Sequence, residues 1–119
     1  MTKRAVVLFA HGSRDLRWRE PMEAVARRVA LDGTPVSCAY LEMMTPDLET
    51  ACGGLVGNGA DTIRIVPMFL GMGKHVREDL PRLVDALRAS HPDVAFELAR
   101  AVGEEPEVVE LLARIASPG

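Results

Sequence analysis

Short apolar runs alternate with longer amphipathic stretches along the whole sequence, and few folds are compatible with that order. The first run, residues 4–10, is continuous, which is typical of a parallel strand covered by helices on both faces. Such alternation predicts right-handed crossovers and an α/β fold, namely one doubly wound, flavodoxin-like lobe with a four-stranded parallel sheet flanked by helices. The remaining strands are predicted at 36–41, 62–66 and 94–99. Helices are predicted at about 16–31, 76–90 and 107–116, and a further helix follows the second strand, with Thr45 as its N-cap and Pro46 as its first residue.

Length and charge limit both the number of domains and the kinds of partner. The 119 residues, 48% of them hydrophobic, are enough for one domain over residues 1–119. A formal net charge of -3 argues against a nucleic-acid binder held by phosphate contacts. The run at 5–10 is too short for a signal peptide, and nothing approaches the ~20 apolar residues of a membrane span. Cys38 and Cys52 lack metal-binding spacing and are interpreted as buried thiols, so we expect a cytoplasmic protein with no nucleic-acid or membrane partner.

Residues capable of metal binding or proton transfer occur where predicted strands end. Ligands of doubly wound sheets bind beyond the carboxyl ends of the strands, so segments 11–15, 42–45 and 71–79 are predicted to converge on one edge. His11 and His75 lie in these segments, and imidazole both binds Co, Ni, Fe and Zn and transfers protons near neutral pH. Loop or capping histidines bonded to backbone are the alternative interpretation of each.

A carboxylate, Glu42, directly follows the second predicted strand. It is interpreted as a metal ligand or proton acceptor, or as a solvated loop residue. Two histidines and one carboxylate match the arrangement that keeps metal positions open, which a protein that passes its metal on requires. The third histidine, His91, ends a helix before Pro92 and is interpreted as structural.

Polar and basic side chains on the same predicted edge suit an acidic ligand. Ser13 or Asp15 is predicted to cap the first helix, whose first amide groups would then face an anion. Arg14 and Lys74 are candidates for binding carboxylates, with solvated surface as the alternative. Solvated surface is the preferred interpretation of two further residues, Arg17 and Arg19.

The connection that precedes His75 is unusually apolar for an exposed loop. Leu70 and Met72, with their neighbours at 68–69, are predicted to form a flexible apolar wall suited to a flat aromatic macrocycle, or else a core or dimer contact. The segment from Gly71 lacks the spacing of a phosphate loop, and residues 11–13 lack the dinucleotide pattern. No organic cofactor is therefore expected.

Three segments, taken together, resemble a known family: H-G-S-R-D at 11–15, Y-L-E-M-M-T-P-D-L at 40–48 and P-M-F-L-G-M-G-K-H-V-R-E-D-L-P at 67–81. In this order, over nearly the whole chain, they are similar to the short form of the sirohydrochlorin cobalt-chelatase family, the small relatives of class II tetrapyrrole chelatases. The resemblance implies one chelatase-like lobe that pairs as a homodimer, with a tetrapyrrole in the cleft between the subunits.

The same resemblance implies an enzyme that inserts a divalent metal into sirohydrochlorin or a related tetrapyrrole, in cobalamin- or sirohaem-type biosynthesis. It assigns metal binding and proton removal to His11 and His75, and an assisting role to Glu42. Co²⁺ is the expected substrate metal, with Fe²⁺ or Ni²⁺ as alternatives, and its binding would release protons. The residues expected to bind the ring are Ser13, Arg14, Leu70, Gly71, Met72 and Lys74.

Two other functions are alternatives, a metal carrier that uses the same residues and a regulatory domain in which the histidines are incidental. A carrier or storage protein for Co or Ni would bind metal without chemistry on a ring and would need no large cleft. A regulatory domain of flavodoxin-like fold would show no dependence on metal. Both leave the apolar loop before His75 unexplained.

Overall fold

Strands and helices alternate strictly in the computed structural model, which describes residues 2–119. Short 3₁₀ turns, Leu16–Trp18 and Val102–Glu104, precede the first and last helices. The elements of this part of the chain are β1 Arg4–Ala10, α1 Arg19–Ala30, β2 Val36–Tyr40, α2 Leu48–Gly57, β3 Thr62–Pro67, α3 Lys74–Ser90, β4 Ala95–Leu98 and α4 Pro106–Ala116.

The four strands form one parallel sheet in the order β2-β1-β3-β4. β1 is central, and its Phe9 lies opposite Ala39 of β2 and Pro67 of β3. The continuous apolar sequence of β1 follows from this position, because a central strand has helices above and below it. The predicted α/β lobe with a four-stranded parallel sheet is confirmed.

The first three helices divide between the two faces of the sheet. α2 and α3 cover one face, where Phe9, Ile63 and Leu80 are almost completely buried in the larger apolar cluster. α1 covers the other face through Met22, which packs with Leu8 and three further buried residues, Ala10, Tyr40 and Met44. Because side chains alternate along a strand, neighbouring residues of β1 serve the two clusters in turn.

The start of α2 differs from the prediction. Thr45 does not cap the helix and Pro46 is not its first residue; the N-cap is Asp47, whose Oδ1 accepts a hydrogen bond of 2.8 Å from the backbone N–H of Thr50. The carbonyl of Pro46 instead accepts the backbone N–H of Tyr40 at 2.9 Å. Thr45 precedes a proline, which disfavours helical backbone there, and Asp is a somewhat better cap than Thr.

Two other helix boundaries move residues of interest. α3 begins at Lys74, two residues earlier than predicted, so His75 lies in the first turn of the helix. Before α1 the chain forms a 3₁₀ turn capped by Asp15, whose Oδ1 accepts the backbone N–H of Arg17 at 3.0 Å. Asp15, one of the two predicted caps of the first helix, therefore caps this 3₁₀ turn, whereas α1 begins at Arg19 after Trp18 and has no side-chain cap.

The two cysteines are free thiols in different surroundings. Cys52 is completely buried in the larger cluster, and burial raises the pKa of its thiol to about 11. Cys38 is only partly buried, and its Sγ lies 3.7 Å from the carbonyl oxygen of Met22. No helix among residues 2–119 is both long and apolar enough to cross a membrane.

Candidate active site

The adjacent ends of β1 and β2 bring the first predicted site residues together. Beyond the strands, the backbone N–H of Leu41 donates to Ala10 at 2.9 Å, and that of Glu42 donates to His11 at 3.1 Å. These two bonds hold the segments that follow β1 and β2 next to each other. Glu42 and His11 consequently leave the sheet side by side at its carboxyl edge.

The side chains of this pair are in direct contact. Nε2 of His11 lies 3.0 Å from Oε1 of Glu42, and the two side chains are 52% and 50% exposed. A carboxylate beside one ring nitrogen holds the proton of a neutral imidazole on that nitrogen. Nδ1 of His11 then carries the free lone pair, on a side chain that solvent can reach, which suits it to bind a metal ion.

Gly12 allows the two segments to approach this closely. It is buried and has a φ of 100°, a left-handed value that side chains disfavour. A Cβ atom at this position would overlap the backbone carbonyl of Glu42. The glycine that follows His11 is therefore part of what holds the His11–Glu42 pair.

Arg19 supports the loop that carries Glu42. Its Nη2 donates to the carbonyl of Thr45 at 3.2 Å, and its guanidinium lies 5.7 Å from the centre of the Tyr40 ring. The interpretation of Arg19 as solvated surface is thus wrong. Its partners are more than twenty residues away in sequence, so no local pattern indicates the contact. The loop it supports includes Met43, which has a φ of 65°.

His75 lies apart from the pair. The backbone N–H of Met68 donates to Phe9 at 2.7 Å, so the segment after β3 leaves the same edge as His11 and leads to the exposed His75. Among residues 2–119, however, no three His, Cys, Asp or Glu side chains are grouped closely enough to hold a metal. His11 and Glu42 are brought together, and His75 shares their edge of the sheet without joining them.

The predicted apolar wall is only partly present. Phe69 packs edge to face on Phe9, with ring centres 6.2 Å apart, and Met72 also packs on the core. Leu70 alone of the large side chains in the loop is strongly exposed, at 71%. Two apolar residues that sequence reasoning missed, Leu41 and Met43, are exposed on either side of Glu42. The letters L-E-M in the second motif were the available signal for them.

The remaining predicted binding residues have separate positions. Ser13 is half-buried, and its Oγ accepts the backbone N–H of Asp15 at 3.1 Å. Arg14 and Lys74 are exposed and Gly71 lies in the loop before α3. An open hollow of about 600 Å³ lies next to Glu42, and Tyr40, Leu41, Met44 and Thr45 are among the residues that line it.

A profile of the CbiX family matches residues 5–117. The chain belongs to the CbiX family. One relative, the sirohydrochlorin cobaltochelatase of Saccharolobus solfataricus, is 28% identical over 115 residues, which are 92% of this chain and 90% of the relative. A CbiX protein of cobalamin (vitamin B12) biosynthesis from Marinobacter aquaeolei has a solved structure with a TM-score of 0.83 and 32% identity, over 94% of this chain and 92% of that chain.

Longer proteins share the CbiX-family lobe. The sirohydrochlorin chelatase SirB of Bacillus subtilis, solved with cobalt and with Fe³⁺, gives TM-scores of 0.80 and 0.79 at 25% and 26% identity. The match covers 95% and 98% of this chain but only 49% of each SirB chain. This chain therefore corresponds to about half of a SirB chain.

Proposed function

We propose that this chain is a metal chelatase that inserts a divalent ion into sirohydrochlorin or a closely related tetrapyrrole. The observation that carries the proposal is the contact between His11 and Glu42, at the open carboxyl edge of a CbiX-family sheet. The match to cobaltochelatases over most of the chain supports cobalt as the metal. Relatives named for iron, and the shared preference of first-row ions for imidazole, keep Fe²⁺ and then Ni²⁺ as alternatives.

In this proposal His11 delivers the metal and Glu42 controls its protonation. Nδ1 of His11 binds the ion, and the N–H at Nε2 donates a hydrogen bond to Oε1 of Glu42. This hydrogen bond raises the basicity of Nδ1 as a ligand. Insertion of one divalent ion into the ring displaces two pyrrole N–H protons. The half-exposed imidazole and carboxylate are acceptors for these protons as the ion leaves. His75, on the same edge, is proposed to act on the opposite side of the bound ring.

The macrocycle is proposed to lie on the apolar residues around the pair. Leu41, Met43 and Leu70 are exposed there, and flexible apolar side chains adapt to a flat ring. Carboxylates at the ring periphery are matched by Arg14 and Lys74, with Ser13, Gly71 and Met72 completing the surface. No organic cofactor has a role in this reaction.

The proposed active unit is a cytoplasmic homodimer. The His11–Glu42 pair is open on one side, and this chain corresponds to about half of the SirB chain. A second copy would enclose the ring from the open side. A C₂ arrangement would present the same edge of both copies to one cleft.

The test is an anaerobic spectroscopic time course of sirohydrochlorin with Co²⁺, corrected for uncatalysed insertion. We expect wild type to accelerate the change in the visible bands, and His11→Ala and His75→Ala to remove the acceleration. His91→Gln is the matched control, since His91 lies at the end of α3 against Phe96. If wild type adds nothing to the rate with Co²⁺, Fe²⁺ or Ni²⁺ but still binds these ions, the protein is a metal carrier.

A further inference from the structure

The 3₁₀ turn Leu16–Trp18, which follows His11 and Gly12 after β1, leaves two large apolar side chains in solvent. Leu16 is 72% exposed and Trp18 is 39% exposed, and no residue of the turn is buried. Covering apolar side chains with a ligand is favourable because it removes their surface from water, and an indole ring offers an unusually large surface. The turn is therefore a candidate for contact with a ligand.

The exposed apolar side chains outside α4 gather at the edge of the sheet that carries the His11–Glu42 pair. Most of them lie on the loops that follow β1, β2 and β3, whose carboxyl ends share that edge. They are Leu16, Trp18, Leu41, Met43 and Leu70. Single exposed apolar residues are common on any protein surface, whereas a group on neighbouring loops marks a binding surface.

Arg19, the first residue of α1, holds the turn beside the loop that carries Glu42. It donates to the Thr45 carbonyl at 3.2 Å, and its guanidinium lies 5.7 Å from the centre of the Tyr40 ring. Thr45 and Tyr40 both line the open hollow of about 600 Å³ next to Glu42. At its other end the turn is capped by Asp15. Because both ends are fixed, little conformational entropy is lost when a ligand covers the side chains of the turn.

The two apolar side chains share one side of the turn. A 3₁₀ helix has three residues per turn, so successive side chains leave it about 120° apart. The side that lies between Leu16 and Trp18 is consequently opposite to the direction of Arg17. The turn thus has an apolar side, and the exposed Arg17 points away from it.

We propose that Leu16 and Trp18 bind one margin of the tetrapyrrole, the substrate of the proposed function on which this inference rests. Position favours this occupant, because the turn lies beside the hollow next to Glu42 and extends the apolar surface of Leu41 and Met43. Chemistry favours it as well, since a flat indole ring packs well against another flat conjugated ring. These contacts hold the ring and take no part in proton transfer, so they affect KM and not kcat.

The first test measures the Kd of metal-free sirohydrochlorin from its visible absorption under anaerobic conditions. Trp18→Ser and Leu16→Ser are each expected to raise this Kd by about tenfold, and Trp18→Phe, which keeps an aromatic ring, by less than about threefold. Arg17→Gln in the same turn and Leu31→Ser just after α1 are matched controls, expected within about twofold of wild type. In metal insertion, Trp18→Ser is expected to raise KM for the ring and to leave kcat within about threefold of wild type.

A second test detects the contact itself in the wild-type protein. Trp18 is the only tryptophan of the chain, so its indole N–H gives a single cross-peak of its own in a ¹⁵N–¹H spectrum. Metal-free sirohydrochlorin is expected to shift or broaden this cross-peak, because a conjugated ring alters the magnetic field at nearby nuclei. The backbone N–H of Gly33, between α1 and β2 at the opposite edge of the sheet, should keep its position.

The outcomes separate this inference from the proposed function. An indole cross-peak that stays in place when the ring binds, or a wild-type Kd in both serine variants, would overturn the inference while the proposed function stands. Equal losses of affinity in Arg17→Gln and Trp18→Ser would also overturn it, because binding would not then depend on the apolar side of the turn. If wild type neither binds sirohydrochlorin nor inserts metal into it, the proposed function fails and the inference fails with it.

Discussion

At the scale of single residues, the contact between His11 and Glu42 gives them unequal roles in the proposed reaction. Oε1 of Glu42 faces Nε2 of His11 at 3.0 Å, so the carboxylate is placed to orient the imidazole and would act on a metal at Nδ1 only through the ring. A glutamine can still accept a hydrogen bond from Nε2 through its amide oxygen, but it cannot take up a proton. Variants of Glu42 therefore separate orientation from proton transfer.

We expect Glu42→Gln to lower the rate of metal insertion by about 10- to 100-fold, the range seen when a carboxylate partner of a metal-binding histidine is changed. Co²⁺ affinity, measured by titration calorimetry, should fall much less than the rate. Glu42→Ala should reduce both. Glu49→Gln, an exposed glutamate in the first turn of α2, is the matched control. Equal losses of affinity and rate in Glu42→Gln would contradict a role of Glu42 in proton transfer that is separate from orienting His11.

Alanine substitutions at two glycines with left-handed backbone distinguish the cost of backbone strain from the cost of steric overlap. Gly12 and Gly33 have φ values of 100° and 88°, but a Cβ atom would meet the Glu42 carbonyl at Gly12 and open space at Gly33. Gly33→Ala should cost only the conformational penalty, about 1 kcal/mol. Gly12→Ala should lower the free energy of unfolding by about 3 kcal/mol or more and also displace Glu42 from His11. Urea unfolding checks both values, and similar losses in the two variants would contradict the close approach at Gly12.

At the scale of elements, the cap of α2 links stability to pH. Hydrogen bonds from Thr50, from its side chain and its backbone N–H, lower the pKa of Asp47 below its ordinary value. A lowered pKa in the folded state contributes stability above the unfolded pKa of about 3.9, and this contribution is lost as the pH falls through the folded value. The cap therefore acts at neutral pH and disappears in acid.

Asp47→Ala should lower the free energy of unfolding by about 1 kcal/mol at pH 7, as expected for an N-cap. The difference from wild type should shrink as the pH is lowered from about 4 towards 2, because the wild-type cap is then protonated. Thr45→Ala, which changes the residue first expected to be the cap, should alter stability by less than about 0.5 kcal/mol. A larger effect at Thr45 than at Asp47 in denaturant titrations would reverse the assignment.

Periodicity predicts the elements better than their ends and contacts. The continuous run of β1 and the helical spacing of α1 correctly indicate a central strand and a covering helix, because both patterns are consequences of burial. The predicted start of α2 is wrong because Thr45 and Asp47 are both suitable caps and only the fold decides between them. The contact of Arg19 with Tyr40 joins residues on different elements, so no local pattern predicts it. The edge shared by His11 and Glu42 follows from sheet topology, whereas the separation of His75 depends on the path of an apolar loop.

At the scale of the whole molecule, the exposed apolar surface of α4 bears on whether the lobe is stable alone or as a pair of copies. Its apolar spacing predicts a helix correctly, but the same spacing predicts burial, and no residue of α4 is buried within the chain. Propensity and amphipathicity describe the helix without identifying its partner. If two copies pair, as in the proposed homodimer, folding and association are one equilibrium, and the stability of the protein depends on its concentration.

Thermal unfolding at different protein concentrations tests this coupling. When a dimer unfolds to two separate chains, a hundredfold rise in concentration adds about 2.7 kcal/mol to the stability of the dimer. Spread over the unfolding entropy of two 119-residue chains, this corresponds to a rise of about 5 °C in Tm. Leu112→Glu, which places a charge among the exposed apolar side chains of α4, should show no such rise and should melt at or below the temperature of dilute wild type. Leu31→Glu, at an exposed leucine just after α1, should follow wild type. A wild-type Tm that stays constant over the same range would mean that α4 remains exposed in solution and that the lobe is stable without a second copy.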